Sequence, residues 1–142
     1  MMALTKKRFW MMTLASIVIA ISVIGIVILL LVDMCGNETF ETMLSPDGVR
    51  KAVIFQRDCG ATTDFSTQIS IIGGADDLVN ESGNIYIVAG HPKESAPVIS
   101  WQGNDVLIIH RDLDGSEFNA VTVLKGDGRV KVVYAVAPQL AA

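Results

Sequence analysis

The chain has 142 residues, room for one domain of ordinary size plus a tail, with two Cys, two His and a net charge of −4. All 15 acidic residues lie beyond residue 32, accompanied by eight of the 11 Lys and Arg, so that part is seven charges negative. This excludes the basic footprint that nucleic-acid binding requires and a surface that adheres to anionic lipid; otherwise it speaks to solubility and names no partner.

Residues 1–8 form a short basic N-terminus. From Phe9 to Val32, twenty-four residues carry no charge. As a helix rising about 1.5 Å per residue the run is about 36 Å long, enough to cross a hydrocarbon core of about 30 Å with some tilt. Backbone groups in lipid bond internally, so the run is expected to be helical despite its many Ile and Val residues. Lys6, Lys7 and Arg8 precede it; Asp33, Glu38 and Glu41 follow. Positive charge resists translocation, which places the N-terminus in the cytoplasm and residues from 33 onward outside. Phe9 and Trp10 stand where interfacial anchors would, and residues 9–32 make the lipid bilayer the first partner. Ser16, Ser22 and Gly25 give the helix a partly small face for packing on a neighbour, or are ordinary transmembrane composition. A cleaved signal peptide is the rival reading, but its apolar region is only about 7–15 residues and ends in small residues. Here the run ends Leu31-Val32-Asp33-Met34-Cys35. Lipidation of Cys35 is a further alternative, for which Asp33 and Met34 are poor preceding residues.

Cys35 and Cys59 both fall on the outer side. An even count in an oxidising compartment favours a disulfide over two free thiols. Its loop, twenty-four residues in sequence separation, corresponds to about 3 kcal/mol in the chain-entropy picture. The bridge would tie the start of the outer domain to its interior and limit its swing from the membrane.

Beyond residue 33 the periodicity changes from helical to strand-like. Short strands are expected at 40–44 and 49–57, joined by a type I turn at Ser45-Pro46-Asp47-Gly48. Further strands are expected at 68–72, 84–89, 98–101 and 105–110. A pair at 120–124 and 130–135, joined by 125–129, closes the domain. β-branched runs separated by Gly, Asn and Asp turns indicate antiparallel β structure. The expected architecture is one transmembrane helix (9–32), then a small all-β domain over 33–137, an antiparallel sandwich or pair of blade-like sheets, and a loose tail at 138–142.

Motifs with chemistry are sparse. His110-Arg111-Asp112-Leu113 matches the start of a kinase catalytic loop, but Glu117 stands where that pattern requires Asn, and no phosphate loop is present. Asp112-Leu113-Asp114-Gly115 with Glu117 lacks the spacing of a calcium loop and reads as a polar hairpin turn; Asp76, Asp77 and Asp127 are likewise turn residues. His91 and His110 are too few for a zinc site. Ser45, Ser66, Ser70 and Ser100 are nucleophile candidates in principle, none in a Gly-x-Ser-x-Gly elbow. No catalytic residue, metal or cofactor is therefore assigned, and the chain is read as a non-enzyme. Asn37-Glu38-Thr39 and Asn80-Glu81-Ser82 are formal glycosylation sequons.

The densest polar feature runs from Arg57 to Thr67. Arg57, Asp58, Gly60, Thr62, Thr63, Ser66 and Thr67 surround Cys59. One reading is a disulfide-pinned loop whose hydroxyls satisfy local backbone donors. The other is a polar recognition loop held rigid by the bridge.

Two stretches look like β-propeller repeats of the TolB type: Ser45-Pro46-Asp47-Gly48 before a strand, and Ile85 to Ile87 followed by Val98 to Trp101 and Val106 to Ile109. The length excludes a complete propeller. Met34 to Glu38, Ser45 to Gly48 and Lys51 to Thr63 through Ser66 to Ser70 resemble a family of small bacterial envelope proteins of unknown function. In that family a Ser-Pro-Asp-Gly turn precedes an Arg-Asp-Cys-Gly-Ala-Thr-Thr run. The resemblance implies a bacterial, envelope-facing protein with both cysteines part of the pattern and implies no activity; together with the oriented helix, the expected place is the bacterial inner membrane with the domain periplasmic. The expected function is a non-catalytic binding or accessory module docking on a protein partner or membrane complex. An immunity protein against a periplasm-acting toxin is the alternative of the same kind, and a small envelope hydrolase the alternative of another class.

Overall fold

The computed structural model describes residues 2–32, 35–60, 62–126 and 129–136. The chain divides into two units, residues 1–34 and 35–142. The expected turn at Asp127, Ala61 of the polar run and the tail at 138–142 lie outside the described residues.

The first unit is helix α1 (Met2–Val32), which takes the basic N-terminal residues into its first turns. Within it, Lys6–Ile28 is long and apolar enough to cross a membrane. The hydroxyls on this helix are used locally: Ser16 donates to the Thr13 carbonyl and Ser22 to that of Val18, each at 2.9 Å. Such donation to a carbonyl three or four residues back satisfies the hydroxyls locally.

The second unit holds β1 (Gly36–Leu44), β2 (Arg50–Asp58), β3 (Ser66–Gly73), β4 (Tyr86–Ala89), a four-residue α2 (Pro92–Ser95), β5 (Val98–Gln102), β6 (Val106–His110), β7 (Asn119–Ala120), β8 (Val123–Leu124) and β9 (Val130–Tyr134). They form a five-stranded sheet in the order β1-β2-β3-β4-β7 and a four-stranded sheet in the order β5-β6-β9-β8. Alternation places Ala52, Ile54, Ile69, Ile71, Tyr86 and Val88 on one face of the first sheet. They pack against Ile99, Leu107, Ile109, Val130 and Val132 of the second, a sandwich core. The expected all-β domain with antiparallel-rich sheets is present.

The Ser45 turn forms as the sequence implies: Gly48 N–H donates to the Ser45 carbonyl at 2.8 Å. Ser45 is buried, and its hydroxyl donates to Asp47 Oδ1 at 2.6 Å and accepts from Arg50 N–H at 3.0 Å. The Ser45 bond, followed by that from the Val49 N–H, holds the Asp47 carboxyl below its usual range. Ser45 is thus a turn brace.

Several elements differ from expectation. β1 begins at Gly36, with a bulge at Phe40 between the Thr39 and Glu41 pairings; Gly36, Asn37 and Glu38 are of types depleted in strands and carry little strand signal. The fourth strand begins at Tyr86, because Asn84 serves instead as a side-chain rung. Its amide accepts from Ile71 N–H and donates to the Ile71 carbonyl, both at 2.9 Å. The expected strand at 120–124 is split, Ala120 pairing with Tyr86 in the first sheet and Val123–Leu124 with β9 in the second. Tyr134 pins this crossing, its hydroxyl bonded to the carbonyls of Val121 (3.0 Å) and Ile85 (3.3 Å). β9 also lies parallel to β6, so the second sheet departs from the meander of a propeller blade that β1–β4 follow.

Candidate recognition cleft

Cys35 and Cys59 are joined, closing a separation of 24 residues and leaving no free cysteine. The pair continues the β1–β2 ladder one step beyond Gly36 opposite Asp58. The bridge therefore follows from strand register.

The face of the first sheet turned away from the core carries Asn37, Arg57, Ser66 and Ala89 in one cross-strand row and Gln68 and Ile87 in the next. Loop 74–84 covers part of this face. Gln68 is buried at the loop's edge: its Oε1 accepts from Gly83 N–H at 2.6 Å and Ser82 Oγ at 3.2 Å, and its Nε2 donates to Ser66 Oγ at 2.8 Å. A side chain at position 83 would press on Gln68 Cβ and the carbonyls of Tyr86 and Ile69, each 3.0–3.1 Å from a Cβ built there, so glycine lets the loop descend this far without displacing them.

The uncovered remainder is a cleft of about 510 Å³, with Arg57, Ser66, Gln68, Ile87 and Ala89 among its lining residues. Cys59, Thr63, Asp64, Phe65, Ser82 and Phe118 complete the lining. Phe65 and Phe118 are 43% and 73% exposed, apolar surface that costs free energy while it faces water.

Of the seven residues expected to form a recognition loop, the structure brings Arg57, Thr63 and Ser66 to the cleft. Asp58 is spent on the turn, its Oδ1 accepting from Gly60 N–H at 2.9 Å, and Gly60 has a φ of 97° that favours glycine. Thr62 is exposed. Thr67 is buried on the core face, its hydroxyl donating to the Gly90 carbonyl at 2.8 Å. The hydroxyls here donate to carbonyls, Thr63 to Gly60 and Ser66 to Arg57, whereas the plainer expectation had them accepting from backbone donors. Phe118 escaped sequence reading; its signal was a large aromatic at the end of a polar turn.

Among the described residues Arg57 is the only cation lining the cleft. Its guanidinium Nη1 donates to Asn37 Oδ1 at 2.8 Å and Asn80 Oδ1 at 3.3 Å. Asn37 Nδ2 in turn donates to the carbonyls of Val79 (3.0 Å) and Glu81 (2.7 Å), and Asn80 Nδ2 to that of Cys35 (2.7 Å). Both sequon asparagines thus have their amide nitrogens committed, and a glycan on either would displace these bonds.

The remaining candidates lie elsewhere. Asp114 and Glu117 accept from backbone N–H groups of their own turn; the bonds from Ser116 hold the Asp114 carboxyl below its usual range. Among the described residues no group of three His, Cys, Asp or Glu could hold a metal ion. Ser70 accepts from Asn84 N–H. His91 caps α2 through Nδ1 and meets the Phe65 ring edge-on at 5.9 Å. Ser100 Oγ lies 2.9 Å from His110 Nε2, while His110 Nδ1 is buried without a partner among the described residues.

No family model, curated protein or solved structure matches the chain.

Proposed function

We propose that the protein is a non-catalytic binding module of the bacterial envelope, anchored in the inner membrane by α1. The N-terminus lies in the cytoplasm, and the β domain lies in the periplasm, where it docks on a protein partner. The observation that carries this reading is the cleft beside the Cys35–Cys59 bridge. It joins two exposed phenylalanines to a fixed guanidinium on a sheet braced by a disulfide and a side-chain network. Aromatic and arginine anchors on a rigid frame are the composition of interface hot spots.

The test is a photo-crosslinking residue at Phe118 of the full-length protein in native membranes, with Gln102 on β5 as an exposed control. A cross-link to a defined partner at Phe118, absent at Gln102 and lost on Phe65→Ser, is expected. Equal labelling at both positions would refute the reading.

The Ser100–His110 pair favours the hydrolase as a second reading. A nucleophile and base are within reach, yet no described group bonds His110 Nδ1 to orient the ring, and neither residue lines the cleft. A serine-directed fluorophosphonate probe that labels the native protein at Ser100 would establish it.

A further inference from the structure

We infer that Arg57 anchors a carboxylate on an extended segment of the docking partner, whose neighbouring apolar side chain rests among Phe65, Ile87 and Phe118. This rests on the docking role proposed for the cleft and names the chemistry of its occupant.

Arg57 is oriented but not neutralised. Its two acceptors, Asn37 Oδ1 and Asn80 Oδ1, are neutral amides and both are reached through Nη1. No carboxylate lies within ion-pair distance of Arg57 among the described residues, whereas Arg50 pairs with Asp105 at 3.3 Å. A guanidinium has five N–H donors in a planar fork that fits a carboxylate through two parallel bonds. The fork's Nε and Nη2 donors make no hydrogen bond among the described residues, so they are the ones a ligand would meet.

The surroundings select among anions. Among the described residues no Lys and no second Arg lines the cleft, and Asp64 does. A phosphate carrying close to two charges would lack a second cation and meet that carboxylate. A single carboxylate needs one guanidinium. The domain's overall negative charge repels an acidic tract in the same way. The acid is therefore isolated and flanked by apolar groups. The occupant is an extended chain because the cleft is open and runs beside Ala89, a β4 residue that β7 leaves without a strand neighbour.

Ser66 provides a test that leaves Arg57 in place. It pairs directly with Arg57 across the β2–β3 ladder and lines the cleft. Ser66→Asp puts a carboxylate beside the guanidinium and still accepts from Gln68 Nε2, so the anchor is neutralised from within. Ser66→Asn is the uncharged control of the same size.

A random peptide library is selected on the full-length chain in nanodiscs, with empty nanodiscs as counter-selection. Enriched peptides are resynthesised with each Asp or Glu as acid and as Asn or Gln. The expected result is enrichment of an acid beside an aromatic or aliphatic residue, with at least about tenfold tighter binding of the acid than of the amide. Ser66→Asp abolishes that preference and Ser66→Asn keeps it, with a cooperative thermal unfolding transition retained in both. Equal binding of acid and amide peptides, or an acid preference that survives Ser66→Asp, overturns the anchor. So does a selection that yields no peptide displaced by Phe118→Ser. If the Phe118 cross-link to a partner persists in those cases, docking stands and only its carboxylate chemistry fails; loss of the cross-link fails docking itself.

Discussion

Asn80 reaches the carbonyl oxygen of Cys35 with its side-chain amide at 2.7 Å, across 45 positions of sequence. The bond fastens loop 74–84 to the bridged end of β1, and through Asn80 Oδ1 and Asn37 it holds Arg57 as well. The disulfide, the covering loop and the cleft's cation are one connected unit.

That connection sets the first prediction. Asn37→Ala removes an acceptor for Arg57 and two donors to loop carbonyls, and is expected to destabilise the domain by about 2 kcal/mol; the more exposed Asn80→Ala costs about 1 kcal/mol. Because the two residues share Arg57, the double variant loses less than the two single losses added together. Denaturant unfolding of all three variants measures it, and strict additivity would contradict the shared network.

The bridge itself supplies the second. Replacing both cysteines by alanine releases a closure of 24 residues, an expected loss of about 3 kcal/mol by the chain-entropy account. The same variant is expected to expose the backbone of loop 74–84 to hydrogen exchange, since Asn80 then grips a frayed strand end. Thiol labelling of the unreduced, denatured wild type should modify neither cysteine.

Much of this domain was legible in the sequence because it rests on local chemistry. The apolar run, the Ser45 turn and the strand centres each follow from adjacent residues and period, and the cysteine pair from an even count on the outer side. What was not legible depends on register between distant strands. Thr67 looks like one more hydroxyl of the polar run, and only its place in β3 turns it into the core. Phe118 joins the cleft because residues 111–118 carry the chain from β6 of the second sheet to β7 of the first, where Phe118 N–H bonds the Ile87 carbonyl, a step no local pattern marks. The parallel pairing of β9 with β6 is likewise a tertiary choice made over separations that propensity does not reach.

Asn84 provides a third prediction from such a non-local contact. Its side chain completes both backbone bonds of Ile71, a buried residue in the core cluster. Asn84→Leu leaves an N–H and a carbonyl without partners, each costing about 1–3 kcal/mol where water is excluded. The variant is expected to lose about 2–4 kcal/mol, discounted for water that can reach the edge of the site. Asn84→Asp restores the acceptor alone and is expected to fall between. A loss under about 0.5 kcal/mol for Asn84→Leu would show that water replaces the amide.

Alkaline pH probes the tyrosines at the centre of the sandwich. Burial pushes the phenols of Tyr86 and Tyr134 up to about 12 from an ordinary value of 10.0. The rings lie 6.1 Å apart, and Tyr134 ties the crossing segment to Ile85 and Val121. A raised folded value means that the native state keeps its protons after the unfolded chain has released them. The stabilisation is therefore fully present below about pH 10 and is lost as the pH rises from about 10 towards 12. Denaturant midpoints should hold level between about pH 8 and 9.5 and then fall steeply. Tyr134→Phe lowers the plateau, by about 1 kcal/mol for the lost hydroxyl bonds, and flattens the alkaline fall because one of the two titrating phenols is gone. An unchanged slope in that variant would show that Tyr134 does not contribute to the alkaline transition.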